Sequence, residues 1–131
     1  MKVLCDTNIF IEIYRQNIDI RSELEKIGQD NIVISDITRA ELFYGAANKT
    51  ELQKIRRDMS KLYTLHIQPE ISKIAVNLVE QYCLSHKMDI EDAIIAATAI
   101  YHNIELFSLN LKDFRFLPNL KIYHFKNTFY L

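Results

Sequence analysis

The sequence predicts an α/β fold around a covered sheet. Five short apolar runs, at residues 2–5, 31–35, 65–67, 106–108 and 120–123, are rich in Val, Ile, Leu or Tyr and are separated by stretches with helical periodicity. Short runs of this kind suit a sheet covered on its faces. No internal repeat, low-complexity stretch or linker divides the 131 residues, and only two glycines and two prolines interrupt them. One domain over residues 1–131 is therefore expected, long enough to bury a core without disulfides or a structural metal.

In chain order, Val3-Leu4-Cys5 ends at Asp6. A short buried strand thus delivers a carboxylate to its own C-terminal tip, the edge at which open parallel sheets bind ligands. The second run passes into Ser35-Asp36-Ile37-Thr38, where Ser35 is placed to N-cap a helix with Asp36 in its first turn. Glu41 follows about one and a half turns in. Thr38 and Glu41, three residues apart, share a helical face that can look back toward the first strand's tip. Gly45 in the same helical pattern costs about 1 kcal/mol relative to alanine and hints at close packing.

Leu52, Ile55, Met59 and Leu62 mark an amphipathic helix whose polar face carries Lys49, Lys54, Arg56, Arg57 and Lys61, read here as a solvated face. Ile71, Ile74, Ala75, Leu78, Val79 and Tyr82 mark another from about residue 69 to 85. Residues 92–101 are apolar nearly all round, which predicts a buried helix packed through its alanines, with Asp92 in the first turn. The helix dipole favours an acid there by about 0.3–1 kcal/mol, an explanation that serves Glu91 equally well.

Charge and composition exclude several classes of function. The net charge of −1 gives no basic footprint that would by itself announce a nucleic-acid binder, and clustered acids would repel a phosphodiester unless a cation reversed the local sign. The cysteines, Cys5 and Cys83, lack CxxC spacing and are read as two buried free thiols. His66, His86, His102 and His124 are scattered, with no HxxxH pair, which argues against zinc. GxGxxG, GxxxxGKS and GxSxG motifs are absent. No signal peptide or membrane-spanning stretch is read, so a cytoplasmic protein without membrane association is expected.

Taken singly, each acid among the 17 has a structural explanation. The joint pattern is more specific. Asp6-Thr7-Asn8 after the first strand, Thr38-Arg39-Ala40-Glu41-Leu42-Phe43-Tyr44-Gly45 on a helix, and Asp92-Ala93-Ile94-Ile95-Ala96-Ala97-Thr98-Ala99 together resemble the PIN domain family, and within it the VapC-type toxins of toxin–antitoxin pairs. The resemblance covers about residues 1–123, leaving a tail at 124–131.

That resemblance implies a three-layer α/β/α sandwich around a mainly parallel sheet, Mg²⁺- or Mn²⁺-dependent cleavage of RNA, homodimerisation and a cognate antitoxin. It also implies a fourth acidic or polar group after the fourth strand, where Ser108, Asn110 and Asp113 match. Asp113 is favoured because it carries charge, with Asn110 positioning water or phosphate. Asp6 and Asp92 are then the primary ligands of one or two ions, and Glu41 is either a further ligand or the group that orients the attacking water. Thr7, Asn8, Thr38 and Ser108 are candidates to orient the carboxylates by hydrogen bonding, although capping explains Ser35 and Thr38 about as well.

Phe43, Tyr44, Phe114 and Phe116 flank these motifs, where RNA bases can stack, with core packing as the first expectation. The aromatic tail of residues 126–131 is placed to cover a sheet edge or to contribute to association. Two other enzyme-like readings fail. A haloacid-dehalogenase-like phosphatase needs an aspartate where Asn8 stands, and a receiver domain needs further acids beside the first strand and a lysine after a late strand. A noncatalytic PIN-like module for RNA binding or protein interaction is the remaining alternative.

Overall fold

A computed structural model describes residues 1–126. Five strands form one sheet: β1 (Val3–Cys5), β2 (Ile32–Ser35), β3 (Tyr63–Leu65), β4 (Glu105–Phe107) and β5 (Lys121–Ile122). Their spatial order is β3-β2-β1-β4-β5 and every pairing is parallel, with Leu4 level with Val33 on one side and Leu106 on the other. The chain builds outward from β1 in one direction through β2 and β3, then returns to lay β4 and β5 on the opposite side. The junction of β1 and β4 is thus the topological switch point, where α/β sheets open a crevice beyond the strand ends.

Six helices cover the sheet: α1 (Thr7–Tyr14), α2 (Ile18–Ile27), α3 (Asp36–Tyr44), α4 (Lys49–Met59), α5 (Pro69–His86) and α6 (Ile90–His102). Side chains alternate across a strand, so each strand serves two cores. Leu4, Val33 and Leu106 point to one face, with Ile71 and Ala75 of α5 and the alanines of α6. Val3, Cys5, Ile32, Ile34 and Phe107 point to the other, with Ile9 and Phe10 of α1, Ile20 of α2, Leu42 of α3, and Ile55 and Met59 of α4. The result is the expected three-layer α/β/α arrangement.

The termini of the helices follow local chemistry. Asn17, Ser35, Asn48 and Asp89 cap α2, α3, α4 and α6 by accepting a backbone N–H in the first turn. Pro69 opens α5, where its missing N–H costs nothing. Gly28, at φ +87°, turns the chain out of α2 into β2, a conformation that favours glycine.

Several sequence readings shift. β3 ends at Leu65, two residues before the apolar run does, because Ile67 leaves the strand and gives its N–H to Asp36 Oδ2 at 2.9 Å. Gly45 lies at the C-cap of α3 with φ −79°, and a Cβ there would meet Glu41 O at an ordinary 3.5 Å, so neither helix interior nor close packing explains it. Cys5 is buried but Cys83 is exposed. Phe114 belongs to the core, whereas Tyr44 is 94% exposed. Apart from Lys126, the aromatic tail lies outside the described residues.

Candidate active site

The N-terminal residues of α1 follow β1 without a break, so Asp6 is both the end of the strand and the N-cap of the helix. Its backbone N–H binds Phe107 O at 2.9 Å across the switch point, and its Oδ1 accepts from Thr7 N at 2.8 Å. Ser108, one residue past β4, donates to Asp6 Oδ2 at 2.8 Å, and Asn8 Nδ2 approaches the same oxygen at 3.3 Å. Asn8 is itself held by donating to Ser108 Oγ at 3.3 Å and accepting from Leu109 N at 3.1 Å. Asp6, only 6% exposed, therefore has its orientation fixed by both strands that flank the crevice.

Glu41 reaches the same edge from α3. Thr7 Oγ1 donates to Glu41 Oε1 at 2.6 Å and lies 3.2 Å from Thr38 Oγ1, which in turn lies 3.3 Å from Ser35 Oγ. This row of hydroxyls joins the tips of β1 and β2 and bears out the expected common face of Thr38 and Glu41. Ser35 and Thr38 both cap and connect: Ser35 Oγ accepts from Thr38 N at 3.1 Å.

Asp92 enters from the third direction, in the first turn of α6, where Asp89 caps the helix by accepting from Asp92 N at 2.9 Å. Burial pushes the Asp92 carboxyl up to about 7, and repulsion from Asp89, Asp6, Asp113 and Glu41 adds to it. Asp6 is also raised, first by burial, then by Asp113, against the lowering effect of its bonds to Ser108, Thr7 and Asn8. Asp113, in the 3₁₀ turn Leu111–Asp113, is thus felt by both acids. Asn110 is exposed and ties its backbone N–H to Ser108 Oγ at 3.1 Å.

The sequence reading passed over Asp89 and gave Glu91 only a structural explanation. After burial, repulsion from Asp89 is the largest influence raising Asp92. Glu91 is raised by its contact with Glu41, through hydrogen bonding and charge repulsion. The spacing of Asp89 ahead of a helical run was the available signal, since an Asp at that position is an N-cap pattern.

Among the described residues, no three His, Cys, Asp or Glu side chains stand close enough to enclose an ion by themselves. The donor chemistry nevertheless fits a hard divalent cation. The converging ligands are carboxylate oxygens, the raised acids need a compensating positive charge, and a Mg²⁺-like ion keeps several waters and asks for only one or two carboxylates.

Comparison with known proteins gives this geometry a family. The PIN domain model matches residues 3–117. Ribonuclease VapC19 of Mycobacterium tuberculosis is 30% identical over 122 residues, covering 90% of this chain and 96% of that protein. A toxin–antitoxin complex from Klebsiella pneumoniae contains a chain 32% identical, with a TM-score of 0.78 over 91% of this chain and 95% of that one. VapBC2 from Rickettsia felis, solved with a DNA fragment from its promoter, gives 29% identity and a TM-score of 0.79 over 94% and 98%. The chain therefore belongs to the PIN domain family.

Proposed function

We propose that this protein is a VapC-like ribonuclease, the toxin of a toxin–antitoxin pair, that hydrolyses RNA phosphodiester bonds with a divalent cation. The observation that carries the reading is the convergence of Asp6, Glu41, Asp92 and Asp113 on one sheet edge, in a chain that matches a ribonuclease along 96% of its length. Asp6 and Asp92 are assigned as the ligands of Mg²⁺ or Mn²⁺, with Asp113 completing the set. A cation bound there supplies Lewis-acid polarisation of the scissile phosphate and a nucleophile at neutral pH.

The protein's own part is positioning. Thr7 N, Ser108 and Asn8 fix both oxygens of Asp6, so the carboxylate needs no reorganisation when it engages a ligand. Thr7 holds Glu41 by its hydroxyl, leaving the second carboxylate oxygen to take a proton from an attacking water or to ligate. Asn110 stands at the mouth, where its amide can meet phosphate. A cognate antitoxin is the proposed partner, a reading supported by the similarity to toxin–antitoxin complexes, and self-association as a homodimer in a cytoplasmic setting is part of the same proposal.

The test is an RNA cleavage assay with metal titration. The parent should cut single-stranded RNA with Mg²⁺ or Mn²⁺, stop with chelator, and lose at least 100-fold in rate as Asp6→Asn, a variant that keeps the helix cap. Undiminished cleavage by Asp6→Asn would remove the assignment. RNA binding without cleavage by the parent would favour the noncatalytic alternative.

A further inference from the structure

Resting on the ribonuclease reading, we infer that Tyr44 is a stacking platform for the RNA base next to the scissile phosphate. The ring is 94% exposed at the last residue of α3, one turn beyond Glu41 on the same helical face. Thr38, Glu41 and Tyr44 run along this face from fully buried, through half-buried, to open, and Tyr44 stands about 4.5 Å further along the axis than Glu41. A large aromatic ring so placed contributes nothing to the core, so packing does not account for it.

Tyr44 is one of the residues lining a cavity of about 570 Å³. Thr7 and Glu41 of the site line it as well, together with the apolar Ile11, Ile37 and Ala40 and the carboxylate of Glu91. Its lining contains no Lys or Arg and has two carboxylates, so a backbone phosphate is repelled from it. A flat, uncharged group flanking a phosphate that a cation holds at Asp6 and Asp92 is the fitting occupant: a nucleobase stacked on Tyr44 beside the apolar Ile11, Ile37 and Ala40. Single-stranded nucleic acid is commonly held in this way, by aromatic faces that every base can meet.

Binding to a single-stranded RNA oligonucleotide tests this without relying on turnover. Asp6→Asn serves as the cleavage-impaired background and is compared with the same variant carrying Tyr44→Ala, Tyr44→Phe or Tyr44→Trp. Tyr44→Ala should weaken binding about tenfold, Phe and Trp should restore it, and the melting temperature should not move, since the ring is exposed. One abasic position in the oligonucleotide should reproduce the Tyr44→Ala loss and add nothing to it. Equal affinity of Tyr44→Ala and its background overturns the inference, as does lost self-association with unchanged RNA affinity, which reassigns the ring to a contact between copies. Failure of the ribonuclease reading is seen separately, as absence of metal-dependent cleavage by the parent.

Discussion

Asp92 carries the clearest electrostatic signature in the molecule. A carboxyl raised from 3.8 to about 7 is a group whose charged form the fold disfavours. The folded protein then binds more protons than the unfolded chain between those two values, so stability falls as pH rises through that window. The contribution is fully present below about 3.8 and gone above about 7. In metal-free protein, Asp92→Asn should remove this part of the pH dependence and melt higher than the parent at neutral pH. Melting curves from pH 4 to 8 check it, and identical slopes in the two proteins would contradict the electrostatic account.

At this scale the sequence was most informative about identity and least about environment. Asp6, Glu41 and Asp92 were recognisable from the residues around them. Their mutual repulsion, the clamp of Ser108 and Asn8 on Asp6, and the Glu41–Glu91 contact depend on distances across the fold, which one-dimensional spacing does not contain. That the charge of Asp113 lies within range of Asp6 and Asp92 likewise depends on the 3₁₀ turn that carries it.

Among the elements, α6 concentrates structural and chemical roles in a single turn. Asp89 caps it, Asp92 is carried by it, and Ala93, Ala96, Ala97 and Ala99 bury it against the rest of the core. The cap and the charge can be separated by substitution. Asp89→Asn keeps an acceptor for Asp92 N and removes the repulsion, whereas Asp89→Ala removes both. The alanine variant should be less stable than the asparagine variant by about 1 kcal/mol in chemical denaturation at neutral pH, while both should lower the Asp92 titration. Equal stability of the two would mean the cap contributes nothing.

Sequence reading located α3 from its Ser35 cap signal, α4 and α5 from their apolar stripes, and α6 from a run that is apolar nearly all round. It missed α1 because Ile9, Phe10, Ile11 and Ile13 follow β1 with only Asp6-Thr7-Asn8 between, leaving no glycine or proline to mark where strand becomes helix. It missed α2 because that helix is mostly solvated and buries Ile20 alone. Both contribute to the second core, so the sheet's coverage on that side was expected from the short apolar strands without the helices that provide it.

Across the whole molecule, parallel pairing in the order β3-β2-β1-β4-β5 converts distant carboxylates into one site. Every strand ends at the same edge, so Asp6, the Ser35–Glu41 segment and Ser108 through Asp113 come together even though up to 107 positions separate them. The fold thereby stores repulsion at one edge that a cation would relieve, and any ion bound to the folded state alone must stabilise it by mass action.

Calorimetric titration of Mn²⁺ into the metal-free protein at pH 7.5 tests this central claim most directly. The parent should bind, Asp6→Asn and Asp92→Asn should weaken binding by about tenfold or more, and a distant acid such as Glu80→Gln should not change it. Absence of binding in the parent, or affinities unaltered by Asp6→Asn and Asp92→Asn, would contradict it.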